Sequence, residues 1–112
     1  MAKNSNRTRS KYTEEALKLI GGLIRAGRIE RNWSTQELAN RLDCSRASVL
    51  RIEDGHPGCE IGMVFEAASL VGIRLFDADS VRLNELRGQV ESRIALLPKA
   101  VRKSTNKVND DF

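Results

Sequence analysis

Residues 34–55 read STQELANRLDCSRASVLRIEDG, and two short helices are written in them. Ser34 and Glu37 stand at the spacing of a capping box: the Ser34 hydroxyl accepts from the backbone N–H three residues on, and Glu37 reaches back to the N–H of Ser34. Leu38, Ala39 and Leu42 give the first helix its apolar side. Asp43 and Cys44 break it, and Ser45 caps a second helix from Arg46 to about Asp54, with Val49 and Ile52 turned inward. Gly55 closes that helix, and Pro57 and Gly58 prevent its continuation. Two such helices joined by a turn of three or four residues form a helix-turn-helix unit.

Withdrawing Val49 and Ile52 to the core leaves Arg46, Ala47, Leu50 and Arg51 on the outside of the second helix. A short helix with such a face fits the major groove of DNA. Arg46 and Arg51 lie roughly 140° apart around the axis at 3.6 residues per turn, so they flank the groove-facing edge. Either guanidinium can fork onto guanine O6 and N7, and Ala47 and Leu50 can touch a thymine methyl. A solvated helix face is the plain alternative for the two arginines. The tandem serine caps, the turn spacing and the inward aliphatics outweigh it.

On the N-terminal side, residues 1–12 carry Lys3, Arg7, Arg9 and Lys11 with no acid and little to bury, so a disordered basic arm is expected. Thr13 is the expected N-cap of a first helix, with Glu14 and Glu15 in its first turn. Leu17, Ile20 and Ile24 recur on one face with Arg28 a turn further, and Asn32 is a left-handed stop. On the other side, Ile61, Val64, Phe65, Ala68 and Val71 mark a fourth helix ended by Gly72. Ile73 to Phe76 is too short for a helix and alternates in character, which predicts a short extended strand. A last helix runs from Asp79 or Ser80 to Leu97, with Leu83, Leu86, Val90, Ile94 and Leu97 spaced by three and four, until Pro98 stops it. Gly88 within it costs about 1 kcal/mol relative to Ala, so this helix needs a partner surface. Residues 99–112 read as a disordered tail. The expected plan is therefore all-α: an arm (1–12), a helix-turn-helix domain (13–77), a C-terminal helix (78–98) and a tail (99–112).

Composition agrees with one small helical core. The chain has 112 residues, 40% hydrophobic but only 4% aromatic, which suits aliphatic helix packing better than aromatic-rich strands. Its net charge is +4, concentrated in the two ends, while the stretch between them sums to −2. Local placement, not overall charge, must then carry any nucleic-acid argument. No run approaches the ~18 apolar residues of a membrane span, and the N-terminus lacks the apolar stretch of a signal peptide, so a cytoplasmic address is expected. Cys44 and Cys59 form no disulfide framework and no zinc pair. No cofactor or metal is expected.

The residues Ile24, Arg25, Arg28, Trp33, Ser34, Glu37, Leu38, Ala39, Leu42, Ser45, Val49, Ile52, Glu53 and Gly55 resemble the pattern of the lambda-repressor-like, or XRE, family of DNA-binding domains, over about residues 20–76. The resemblance implies five packed helices, the helix from Ser45 as reader, and phosphate contacts from Thr35, Gln36 and Ser48 near helix starts. The candidate DNA-contacting set is thus Thr35, Gln36, Ser45, Arg46, Ala47, Ser48, Leu50 and Arg51. It also implies an ion pair between Arg28 and Glu53. Asn32 stands where the family usually has glycine, which its ease in the left-handed region permits.

A narrower resemblance, carried by Glu53 to Pro57, Met63 to Ala68 and Gly72 to Asp77, is to HipB-like antitoxins, partners of HipA-type kinase toxins. It implies that Ile73, Leu75 and Phe76 lie in a strand pairing across a dimer. It further implies that a tail ending Asp110, Asp111 and Phe112 docks into the toxin. A twofold homodimer on a palindromic operator follows from the limited reach of one reading helix. The alternative is a stand-alone regulator of the same class without a toxin. An enzyme is not expected: His56, the sole histidine, sits in a loop with no third residue to orient it toward Cys44 or Cys59. A redox switch at Cys44, beside the reading helix, is a minor variant.

Overall fold

Ser10, rather than Thr13, opens the first helix. In the computed structural model, which describes residues 8–100, the Ser10 hydroxyl accepts from the Thr13 N–H at 3.1 Å, and α1 runs Lys11–Glu30. Lys11 and Tyr12, expected in the arm, are helical, and Lys11 pairs with Glu15 one turn on at 3.5 Å. A hydroxyl residue stands at both positions, and the earlier one lets the helix gain a further turn. The chain leaves α1 through Asn32, whose φ of 61° is the left-handed stop expected from the sequence.

The next two helices are α2 (Thr35–Leu42) and α3 (Arg46–Glu53). Ser34 accepts from Glu37 N at 3.0 Å and Ser45 from Ser48 N at 3.1 Å, so both serine caps form. The reciprocal half of the capping box does not, because the Glu37 carboxylate accepts from Arg41 Nε at 3.0 Å instead. Asp43 turns the chain between the helices with φ 57°, and Gly55 ends α3 with φ 73°. Helix α4 (Ile61–Leu70) follows, then a 3-10 turn (Leu75–Asp77).

The core gathers Ile24, Leu38, Val49 and Ile52 with Ala39, Ala67, Ala68 and Val71. Ile24, Leu38 and Val49 are fully buried, each worth about 1.5–3 kcal/mol relative to exposure. Helix α1 presents Gly21 to the end of α3 at very close range: a Cβ there would lie 2.6 Å from Ile52 O and 2.7 Å from Glu53 O. Arg31, just past α1, donates to Val71 O at 2.7 Å and so holds the C-terminal end of α4, where a cation is favoured.

The expected strand is corrected. Ile73 to Phe76 forms no strand, and among the described residues there is none. Ile73 and Leu75 pack against the core, while Phe76 takes φ 56°, ψ 23° and Asp77 φ 54°. The alternation that suggests a strand instead reflects an in-and-out turn. The left-handed region costs a bulky L residue about 1–2 kcal/mol, and here it carries an aromatic ring that stays 74% exposed. In α4, Ala67 and Ala68 are buried together, whereas Ile61 and Phe65 face outward. Gly62, Glu66 and Ser69 share the polar side of this helix, and Ile61 and Phe65 lie on its flank.

The chain divides into two compact units at Asp77/Ala78. The second holds α5 (Ser80–Leu96), capped by Asp79, whose carboxylate accepts from Arg82 N at 2.9 Å. Ion pairs Arg82–Glu85 (3.2 Å) and Arg87–Glu91 (2.8 Å) run along it. No residue of α5 is buried, and Val90 and Ile94 stand exposed.

Candidate nucleic-acid interface

The two serine caps and the left-handed Asp43 bring the starts of α2 and α3 together at one surface. There Arg46 Nε donates to Thr35 Oγ1 at 3.2 Å, joining two of the candidate residues across the turn. Ser45 and Ser48 share a hydroxyl contact of 3.0 Å at the mouth of α3. Gln36 lies on the exposed side of α2, its amide nitrogen donating to Asn40 Oδ1 at 2.9 Å. Along α3, Val49 and Ile52 are buried, and Arg46, Ala47, Leu50 and Arg51 are exposed. All eight candidates thus lie on α2 and α3 or at their caps.

The electrostatics of α3 depend on a residue that faces away from this surface. Glu53, its only acid, is buried against Arg28 of α1, accepting from Nε at 2.6 Å and Nη2 at 3.0 Å. Arg28 Nη1 also donates to Trp33 O at 2.9 Å. The hydrogen bonds to Glu53 raise the Arg28 pKa above its ordinary value against the opposing pull of burial, so this guanidinium stays charged at every accessible pH. With Glu53 withdrawn, the outer side of α3 bears two guanidinium groups, and the one exposed carboxylate beside it is that of the C-cap residue Asp54. Among the described residues neither Arg46 nor Arg51 has an acidic partner, whereas Arg41, Arg82 and Arg87 each pair within their own helix.

Trp33 is a further feature of the turn before α2. The Arg41 guanidinium lies 4.1 Å from its ring centroid and that of Arg31 5.8 Å away. The sequence offers no periodic signal for this stack, since the three residues do not share one helix. It steadies the outer edge of α2 through the face of one aromatic ring.

Cys44 is half-buried, its thiol 3.5 Å from Ser45 O. Burial, with Asp43 adding to it, pushes the thiol above its ordinary pKa, which lowers the thiolate population at neutral pH and argues against a redox switch. Cys44 is expected to react with iodoacetamide at neutral pH more slowly than a free cysteine in the same buffer, read by mass spectrometry. Faster labelling would reinstate the switch. His56 Nδ1 accepts from Gly58 N at 2.8 Å and braces its loop. Cys59 N–H donates to His56 O at 3.4 Å, but no hydrogen bond joins the imidazole to either thiol among the described residues. No cluster of metal-ligating side chains occurs among them either, and no helix among the described residues is long and apolar enough to cross a membrane.

A second surface, which no periodicity in the sequence isolates, lies on α1 and α4. A groove of about 510 Å³ opens between the start of α1, the loop after α3, and α4, floored by Leu17, Ile20, Cys59 and Val64. Tyr12 and Ile61 stand on its rim, and Phe65 lines it, with Phe76 edge-on at a centroid distance of 6.5 Å. The excess of apolar residues around α4 is its only signal in the sequence. The tail residues Asp110, Asp111 and Phe112 lie outside the described residues. No family model matches this chain, and neither a curated protein nor a solved structure does.

Proposed function

We propose that the chain is a sequence-specific DNA-binding transcriptional repressor of the lambda-repressor-like kind, with α3 as the reading helix, acting as a homodimer on a palindromic operator. One observation carries the reading: α3 buries Val49, Ile52 and its single acid, and turns outward Arg46 and Arg51, neither of which forms an ion pair among the described residues. A side of that sign and width suits base edges flanked by phosphates. Thr35 holds Arg46 in place, so its guanidinium is partly preorganised. Gln36 and Ser48 then take phosphates at the starts of α2 and α3. The role of a HipB-like antitoxin toward a HipA-like kinase toxin extends this proposal on the sequence resemblance alone, through Asp110 to Phe112.

Selection from random DNA duplexes tests the proposal with the intact chain and with Arg46→Ala and Arg51→Ala. The expected result is an enriched motif in which each variant loses discrimination at its own base position by about 1–3 kcal/mol, roughly fivefold to 150-fold. Where a substitution leaves a phosphate without its cation, the logarithmic salt dependence of binding should flatten by about one unit. Absence of any enriched motif, or variants that select like the parent, would overturn the proposal.

A further inference from the structure

The groove on α1 and α4 has neighbours that shape it for a particular occupant. Tyr12 is 83% exposed, Ile61 67%, Phe65 37% and Phe76 74%, and all four lie beside or on the groove. Phe76 is a protruding ring beside a hollow, and the backbone bearing it occupies a left-handed conformation that glycine would adopt more easily. Contiguous exposed apolar surface of this kind marks an interaction site. We propose that this face is where two copies of the chain pair about a twofold axis, each inserting Phe76 and Tyr12 toward the groove of the other.

Three observations favour a second copy over other occupants. A ridge next to a hollow on one face is self-complementary, as a twofold contact requires. The area also fits: with about 150–250 Å² for a whole aromatic side chain, these four residues leave on the order of 400–500 Å² of apolar surface per copy. Two copies together bring about 800–1,000 Å² from these side chains, and the other groove-lining residues add to it, against the total of about 1,000 Å² that a specific interface needs. A small apolar molecule would fill the hollow and leave the Tyr12 and Phe76 rings in water. Finally, no lining residue belongs to α2 or α3, so pairing here leaves Arg46 and Arg51 uncovered. The inference rests on the proposed function for its purpose, since two reading helices are what an operator requires.

Sedimentation of the full chain without DNA tests it. The parent is expected to dimerise at micromolar concentration, and Phe76→Gly and Tyr12→Ser each to weaken the dimer at least tenfold. Phe76→Gly relieves the left-handed strain, so its melting temperature should hold or rise, separating a failure to pair from a failure to fold. A paired change in α5, Val90→Ser with Ile94→Ser, should leave the dimer constant unchanged. The proposal is overturned by a parent that stays monomeric, by a Phe76→Gly chain that dimerises like the parent, or by dissociation through the α5 change alone. Because DNA is absent, these results are independent of the duplex selection. A monomer that still reads DNA through Arg46 and Arg51 would sink only the pairing face, and a dimer here that binds no DNA would sink only the repressor.

Discussion

Arg28→Ala is expected to lower the unfolding free energy by about 3–5 kcal/mol, because it strands the buried Glu53 carboxylate. The change removes two hydrogen bonds to that carboxylate and one to Trp33 O, at 2.6, 3.0 and 2.9 Å. An exposed ion pair is worth only about 0–1 kcal/mol, so the size of the loss distinguishes a buried latch from a surface contact. Arg28→Lys should recover little, since an ammonium cannot fork onto both carboxylate oxygens and reach Trp33 O as well. Replacing both partners with apolar residues, Arg28→Met with Glu53→Leu, should restore most of the stability, because no charge then remains unpaired. Urea unfolding measures all three. A loss below about 1 kcal/mol for Arg28→Ala would contradict the burial described for the pair.

Gly21→Ala and Gly22→Ala should move stability in opposite directions, although helix propensity alone assigns both the same gain. At Gly22 a Cβ meets nothing within 4 Å, so alanine is expected to stabilise α1 by up to about 1 kcal/mol. At Gly21 it would lie 2.6 Å from Ile52 O, 2.7 Å from Glu53 O and 2.9 Å from Gly55 N. These are backbone atoms at the end of α3 and cannot rotate aside, so a loss of about 1–3 kcal/mol is expected. In a domain of this size each 1 kcal/mol moves the melting temperature by about 4–8 °C, so the two variants should separate clearly in a thermal scan. Equal shifts for both would mean that α1 and α3 do not approach as described.

What is legible in the sequence is mostly local. The caps at Ser34 and Ser45, the stop at Asn32 and the inward Val49 and Ile52 follow from neighbours a few positions apart, and the structure has each of them. The helical class and the exposure of Arg46, Ala47, Leu50 and Arg51 follow with them. The Arg28–Glu53 pair, 25 positions apart, follows from a family resemblance and not from any spacing rule. Sequence and structure part where several local choices are equally good. Ser10 and Thr13 are both competent caps, and four alternating residues at 73–76 suit an inward-outward turn as well as a strand. Ile61 and Phe65 flank the side of α4 that carries Gly62, Glu66 and Ser69, where an apolar residue is covered or left open according to what packs beside it. The role of Gly21 and the Arg41 contact with Trp33 depend on which segments meet in space, information that no local window contains.

The Arg28–Glu53 latch encloses the whole of α2 and nearly all of α3 within the loop it closes. Those two helices therefore surrender their freedom when the chain folds and not when it meets a ligand. Within that loop, association has the outer side chains of α2 and α3 left to order but not their backbones, and the entropic penalty of forming a complex is correspondingly small.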